Sequence, residues 1–585
     1  VQPADFTTLT AACSELRKGW LPARLEQVYQ RDRHTVALSL RTIDRRGWVD
    51  ISWHPQAARL CAGDPPPRTP DTFTFSQQLR HQLGGLALVA ITEVAPWERV
   101  LDLQFARRPG DPILWHLYVE IMGKRSNVIL ANQENLIVTA AHQVSDRQSS
   151  VRPIQTGQPY EMPPALTDPA PNKNEPQERW QERITLIPGQ LGRQLLKSYR
   201  GLSSAFGREM VEAAGLDPAQ LTDSLSESDW QQLFCRWQEW LQALEQEQFQ
   251  PCWTREGYSV LGWVDSQRKS DPASVSELLN AYYTGELNQQ EFKQLRHQLS
   301  QKLSNLLAKL QLKANTFSER LQQSDEADKY RQQADLMMAN LQAWQPGMKE
   351  IILADFETGN PTSIPLEPEK NAVQNAQSLY RRNQKLKRAR AAVEPLLAEV
   401  QAEIDYLEQV ESTLSGLDAY REPADLQALE EIRDELISQG YLEDPEHRSQ
   451  SETPATNFYR YQSPSGFELL IGRNNRQNDQ LSFRLAGDYD VWFHTQEIAG
   501  SHVLLRLPPG SVAEEADLQF AADLSAYYSR ARQSEQVPVV YTEPKHVYKP
   551  KGAKPGMVVY KHERILWGRP QEGSRYITQA GDKFS

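Results

Sequence analysis

Only four cysteines occur in 585 residues: Cys13, Cys61, Cys235 and Cys252. No two have zinc-ligand spacing, and a disulfide framework is not expected in so long a chain. No apolar run approaches the roughly 18 residues that span a bilayer. The opening residues, Val1 to Asp5, show no basic-then-apolar leader. The expectation is a soluble, cytoplasmic protein with no membrane partner. A Gly-x-x-x-x-Gly-Lys loop and a Gly-x-Gly-x-x-Gly turn are both missing, so ATP-driven and dinucleotide chemistry have no visible seat and no cofactor is expected. His494 and His502 lie close in sequence, but no carboxylate pair or cysteine completes a metal site. Ser501 and His502 are adjacent strand residues on opposite faces, so they are not a nucleophile–base pair. Positive charge is also short, the formal net charge being -12. Any phosphate-binding surface must therefore be local.

The residues present divide the chain, since 585 residues are too many for one core. Residues 1–165 read as mixed α/β, with strands at Leu38–Arg41, Val49–Trp53, Val100–Arg107, Leu114–Ile121 and Asn127–Ala131 and a helix at Thr74–Leu83. Pro163–Pro176 reads as a linker. Residues 179–260 are helical by pattern, within a helical region drawn over 179–286. Two long helices are expected at about 288–344 and 371–414. The second carries Leu379, Leu386, Val393, Val400 and Leu407 at seven-residue steps, with Pro395 expected to kink or break it. Between them, Ile351–Phe356 and Thr362–Leu366 predict a β-hairpin within 346–368. The helices then fold back as an antiparallel arm over 287–420; a compact four-helix bundle is the alternative. From Phe458 the period returns to two, in a domain drawn over 453–567, with strands at Phe467–Ile471, Asp490–His494, His502–Arg506 and Val537–Tyr541 and a helix at Val512–Arg532. Residues 568–585 are expected to be a tail.

Three segments carry binding chemistry. Glu120-Ile121-Met122-Gly123-Lys124-Arg125-Ser126-Asn127 sits at a strand end. Gly123 permits a tight turn, Lys124 and Arg125 can meet phosphates, and Ser126 and Asn127 can hydrogen-bond to phosphate or sugar. A plain connecting turn is the structural alternative. Arg381, Arg382, Lys385, Lys387, Arg388 and Arg390 make a stripe on the second long helix, either a solvated face or a track for an RNA backbone. Lys545, Lys549, Lys551 and Lys554 are interleaved with His546 and Tyr548, with no acid between them. Cations beside aromatics suit phosphates and unstacked bases.

Four separated segments together resemble the NFACT family of ribosome quality-control factors. They are Glu120–Asn127; Asn375-Ala376 with Tyr380 and Asn383–Arg388; Asp490-Val491-Trp492-Phe493-His494 with Gly500-Ser501-His502-Val503; and Lys545–Val547 with Lys554–Val558. The resemblance implies an α+β multidomain chain. It has a glycosylase-like N-terminal α/β domain, a helix-hairpin-helix region, a coiled-coil arm with a small β tip and a C-terminal α/β RNA-binding domain. It implies a protein that is not itself an enzyme, with no catalytic residues and no metal. Such a protein binds a stalled large ribosomal subunit, its rRNA and its peptidyl-tRNA. It recruits tRNA(Ala) for untemplated C-terminal alanine tailing, with a small RNA-binding accessory factor as a further candidate partner. Glu98, Arg99, Glu120, Met122, Gly123, Lys124, Arg125, Ser126 and Asn127 are the implied tRNA-binding residues. Arg381, Arg382, Lys385, Lys387, Arg388, Asp490, Trp492, His494, Ser501, His502, Lys545, Lys549, Lys551 and Lys554 are the implied ribosome-binding ones. The chain departs from the family pattern at Trp97-Glu98-Arg99, where Asp-Arg is usual, and at Asp335-Leu336-Met337, where Gly-Glu-Leu-Leu is usual. A fibronectin-binding surface adhesin is the alternative function. A DNA glycosylase is disfavoured, because Pro3 is not terminal and no four-cysteine finger exists.

Overall fold

The computed structural model describes the chain except residues 68–70, 146, 148, 150–151, 165–166, 256, 264–270, 357, 444–456 and 585, with backbone alone at 325 and 579–584. The chain forms two compact units, 1–287 and 288–585. The predicted linker at 163–176, the hairpin turn and the start of the last predicted domain fall partly outside the described residues.

The first unit opens with α1 (Phe6–Trp20), capped by Asp5, whose carboxylate accepts from the Thr8 amide at 2.8 Å. Four strands follow: β1 (Ala23–Asp32), β2 (Thr35–Arg41), β3 (Arg46–Ser52) and β4 (Arg59–Gly63). After α2 (Thr74–Leu83) come β5 (Ala87–Glu93), β6 (Val100–Ala106), β7 (Trp115–Glu120), β8 (Asn127–Asn132) and β9 (Ile137–Ala140). They build an antiparallel sheet in the order β4-β3-β2-β1-β5-β6-β7-β8-β9. The sequence had indicated the strands on either side of the later site but not α1, whose buried face is rich in Ala, Thr and Cys and gives little apolar contrast. A helical layer follows: α3 (Gln177–Thr185), α4 (Leu191–Ser198), α5 (Ser204–Ala213) and α6 (Glu227–Gln246). A capping box of Ser226 and Asp229 starts α6, which buries Trp230, Leu233, Trp237, Trp240 and Leu241 on one face. A short hairpin, β10 (Cys252–Trp253) and β11 (Tyr258–Ser259), leads into α7 (Val275–Asp325).

Here the expected arm helix is corrected at both ends. It begins at Val275, not near 288, because Leu278, Leu279, Tyr282 and Tyr283 belong to the core of the first unit. It stops at Asp325, and a separate α8 (Ala327–Ala339) follows. Ser324 donates to the Leu321 carbonyl at 2.6 Å, a local bond that competes with helix continuation. The break lets Ala334, Leu336 and Met337 meet a hairpin of β12 (Glu350–Ala354) and β13 (Pro361–Pro365), paired from Glu350–Pro365 to Ala354–Pro361. Next comes α9 (Ala372–Gly416), capped by Asn371 and Gln374. It runs through Pro395 without the expected break. Pro395 and Ala391, whose carbonyl loses its partner, are both exposed, so water can replace the missing bond.

Within the second unit the apolar clusters order the two long helices. Phe292, Leu295, Leu299 and Leu303 pack with Tyr406, Leu407, Val410 and Leu414. Ala314 packs with Val400 and Ile404, and α8 packs with Ala376 and Leu379. Later residues of one helix meet earlier residues of the other, so the pair is antiparallel. Between these clusters most side chains of α9 from Arg381 to Glu399 are exposed. Since among the described residues the hairpin shares its core with α8, Trp344, Met348 and the start of α9, deleting residues 349–368 should leave the main thermal transition within about a degree of wild type. Calorimetry checks this; a large drop would place the hairpin in the main body.

The base of the arm carries α10 (Pro423–Ser438). The final sheet has the order β14-β15-β17-β16-β18-β21. Its strands are β14 (Tyr459–Gln462), β15 (Glu468–Ile471), β16 (Val491–Thr495), β17 (Val503–Leu505), β18 (Val537–Thr542) and β21 (Arg564–Gly568). One face packs on α12 (Glu515–Tyr527). The other is covered by Phe458, Leu481 and Val547, close to α11 (Asn475–Gln480) and a small hairpin of β19 (Val547–Tyr548) and β20 (Val559–Tyr560). The expected tail is a helix, α13 (Pro570–Phe584), whose Tyr576 packs on Phe520 of α12 with ring centroids 4.6 Å apart.

Candidate nucleic-acid interface

In the first unit, β7 and β8 are joined by a single turn. Glu120 pairs with Asn127 across it, and Gly123, at φ +58°, allows the backbone to reverse. The side chains predicted to meet nucleic acid separate into two groups. Glu120 is 1% exposed. Its carboxylate accepts from Arg152 Nη1 at 3.0 Å, from Arg152 Nη2, and from the Tyr160 hydroxyl at 2.9 Å. Tyr160 stacks on Tyr118 with centroids 3.7 Å apart, and burial holds its hydroxyl far above its usual value, so it stays a donor. Ser126 is buried and accepts from the Met122 amide at 2.8 Å. Asn127 is buried, donates to the His142 carbonyl at 2.7 Å and accepts from the Val128 and His142 amides. The expectation that Ser126 and Asn127 reach phosphate or sugar is corrected: both are occupied in holding the turn. Met122 is half-buried. Lys124 and Arg125 are exposed, and neither has an ion pair among the described residues.

Glu98 and Arg99 lie on the approach to β6. Trp97 adopts φ +63° and is clamped by Phe6 and Trp240, with ring centroids at 4.8 and 5.5 Å. This anchors the pair. Glu98 points into a cavity of about 170 Å³ lined by Ala95, Val100, Met162 and Arg200, with Arg200 Nη1 3.8 Å from its Oε1. Arg99 is half-buried and donates from Nη1 to the Ala4 carbonyl at 3.4 Å. Arg200 was missed in the sequence, where nothing marks an arginine 102 positions beyond Glu98 as its neighbour in space.

In the second unit the arm stripe thins. Arg382 lies over the Tyr330 ring at 4.7 Å, Lys387 pairs with Asp328 at 3.3 Å and Arg390 with Glu394 at 2.8 Å. Arg381, Lys385 and Arg388 are exposed with no ion pair among the described residues. Their spacing puts all three on one face of α9. Asn383 is buried and donates to the Ala327 carbonyl at 2.7 Å, beside the break between α7 and α8.

The C-terminal motif residues are scaffold. Asp490 is buried and accepts from the Gly487 and Leu507 amides at 2.8 and 3.0 Å. Trp492 is fully buried and donates to Ser482 Oγ at 2.9 Å. The Ser482 hydroxyl also lies 2.7 Å from His502 Nδ1. His494 and His502 pack edge to face at 5.3 Å. Loss of hydration pushes His494 down to about 4 and, with His494 beside it, His502 well below its usual value. Both rings are neutral at pH 7 and offer no cation to a phosphate. Ser501 is buried, its amide donating to the Tyr528 carbonyl at 2.9 Å. The direct rRNA role expected of Asp490, Trp492, Ser501 and His502 is therefore corrected to a supporting one.

The lysines differ too, because an acid beside Lys545 and acids and rings distant in sequence from Lys549 and Lys554 reach them. Lys545 pairs with Glu543, Lys549 with Asp479, and Lys554 lies over the rings of Tyr406 and Tyr441, 4.6 Å from each centroid. Lys551 alone of the four is exposed with no ion pair among the described residues. Also missed was the run Gly472–Asp479. Arg473 joins Asp425 at 2.5 Å and Glu422, and lies 3.9 Å from the Tyr459 centroid. Eight consecutive polar residues, Arg473–Gln480, just after a strand were the available signal.

Residues 5–454 match the NFACT N-terminal and middle domains, and residues 457–562 match the NFACT protein RNA binding domain. The chain belongs to the NFACT family. Among its relatives is the Rqc2 homolog RqcH of Bacillus subtilis, 31% identical over 95% of this chain and 96% of the relative. The Rqc2 homolog RqcH of Streptococcus pneumoniae is 28% identical over 94% and 95%. Two solved structures, the C-terminal and N-terminal parts of the fibronectin/fibrinogen-binding protein from Streptococcus suis, each cover 48% of this NFACT chain. They are 30% and 23% identical with TM-scores of 0.37 and 0.39, and this chain covers 95% and 98% of them. No helix among the described residues is long and apolar enough to cross a membrane, and none of their His, Cys, Asp and Glu side chains group as a metal site.

Proposed function

We propose that this NFACT protein acts in ribosome-associated quality control in the cytoplasm. It binds a large ribosomal subunit that retains peptidyl-tRNA and recruits tRNA(Ala), which directs untemplated alanine addition to the stalled chain. The ribosome makes the peptide bonds, and the protein supplies binding and positioning. The observation that carries the reading is the presentation of unpaired cations on stiff supports in an acidic chain. Lys124 and Arg125 ride a turn fixed by Glu120, Ser126 and Asn127. Arg381, Lys385 and Arg388 ride one helix face. Neutral or paired residues beneath them hold the geometry, while the free cations meet phosphate. The relationship to the RqcH proteins over nearly the whole chain supports the same reading.

The two surfaces divide the work, tRNA to the first unit and the large subunit to the second. Replacing Lys124 and Arg125 with alanine should lower tRNA recovery with the purified complex about tenfold or more. Sedimentation with large subunits should persist. Arg99→Ala tests the neighbouring pair in the same assay. Wild-type tRNA recovery in the Lys124/Arg125 double variant would remove the turn from the tRNA site.

A further inference from the structure

The small β19–β20 hairpin has two faces. Val547 and Tyr560, paired across it, turn inward; Val547 is 6% exposed and the Tyr560 ring lies 5.8 Å from that of buried Trp492. Tyr548 and Val559, the next pair, turn outward and are 46% and 49% exposed. An aromatic ring and a branched aliphatic side by side on a protruding hairpin make an apolar surface about the size of one nucleobase. The hairpin is not loose. The Lys561 amide donates to the His546 carbonyl at 3.0 Å, Thr542 donates to the Lys561 carbonyl at 3.0 Å, and the Gly556 amide donates to Asp479 at 3.2 Å. Lys549 and Lys554 are drawn down onto Asp479 and the Tyr406 and Tyr441 rings, which fixes the connecting loop.

The hairpin segment itself carries charge of one sign. Between Glu543 and Glu563 the chain has five lysines and no acid. Lys561 Nζ lies 5.8 Å from the Tyr548 centroid, and Lys551 is exposed with no ion pair among the described residues. A ligand for this surface needs a flat apolar face and negative charge on either side of it. A nucleotide within a single strand has both. A duplex keeps its bases stacked inside and presents only phosphate and sugar.

We propose that the outer face of this hairpin is a stacking site for one unpaired RNA base, which lies on Tyr548 against Val559 while the adjoining phosphates meet Lys561 and Lys551. The inference rests on the RNA-binding reading above and narrows it, at this hairpin, to single-stranded RNA. The full chain is titrated with a short labelled oligouridine and with a blunt RNA duplex. Tyr548→Ala should weaken oligouridine binding about tenfold, the usual worth of one base–aromatic stack, and leave duplex binding unchanged. Tyr548→Trp should keep or tighten oligouridine binding. Lys561→Gln should reduce the slope of log affinity against log salt by about 0.7, one phosphate contact on a single strand. Wild-type oligouridine affinity in Tyr548→Ala, or an equal loss for both probes, overturns the stacking site and leaves the broader RNA reading standing. A wild-type chain that binds neither probe overturns both.

Discussion

Glu120→Ala is expected to destabilise the first unit by about 3–5 kcal/mol, the usual result of stripping one partner from a buried ion pair. The Arg152 side chain is only 14% exposed, and removal of the carboxylate would leave its guanidinium without a counter-charge in a closed setting. The Tyr160 hydroxyl would lose its acceptor at the same time. Arg152 Nε would keep its bond to the Glu161 carbonyl at 2.7 Å, too little to satisfy a buried cation. Glu120→Gln keeps the shape and one acceptor oxygen and should cost less than the alanine variant. Denaturant unfolding of the full chain, followed through the transition of the first unit, separates the two. The position also bears on binding. Because Glu120 pairs with Asn127 at the neck of the Lys124–Arg125 turn, the alanine variant should lower tRNA recovery by loosening the turn, and amide exchange at 121–126 should rise. A loss below about 1 kcal/mol would show that Arg152 finds another partner.

Glu120 thus holds the turn from within, where its place in the sequence reads as a binding residue. A Glu at the head of Ile-Met-Gly-Lys-Arg-Ser-Asn reads as one more polar group in a binding loop, because sequence order does not say that Arg152, 32 positions on, closes over it. The same ignorance of long-range partners explains the C-terminal domain. Asp490, Trp492 and His502 resembled interface chemistry, yet Trp492 and His502 are joined through Ser482, and Asp490 holds the Gly487 and Leu507 amides. Lys545, Lys549 and Lys554 looked free because their partners, Glu543 apart, come from α11, α9 and the end of α10. Periodicity did place what is local: the strands flanking the Gly123 turn, the β12–β13 hairpin and the length of α9. It failed at α7, where an apolar pattern continues across a break set by Ser324 and by packing of α8 on the hairpin. It also missed α13, α11, a six-residue polar run with no apolar period, and α10, although Leu426, Leu429, Ile432 and Leu436 step along its buried face.

One buried polar group titrates in a useful range. Glu435 of α10 is 3% exposed, and its Oε1 accepts both from the Tyr406 hydroxyl at 2.7 Å and from Asn475 Nδ2 at 3.0 Å. Burial pushes its carboxyl from 4.5 up to about 7, opposed by those two donors and aided by Asp479, with Arg476 opposing. Because the folded value lies above the unfolded one, the folded chain holds a proton that the unfolded chain releases. The associated stability is present in full below about 4.5 and is lost as pH rises to and through 7. Glu435→Gln keeps an acceptor oxygen for Tyr406 and Asn475 and cannot ionise. Wild type and variant should therefore unfold alike at pH 4, and the variant should be the more stable above pH 7. The interval from 4.5 to 7 corresponds to about 3 kcal/mol, or several degrees in melting temperature for a unit of this size. Calorimetric melting of both chains across pH 4–8 reads the divergence directly. Parallel curves, or a variant less stable at pH 8, would mean that the carboxylate is accommodated at this junction of α9, α10 and α11 with its charge intact, most simply by the Lys554 ammonium, which lies 4.6 Å from the Tyr406 centroid.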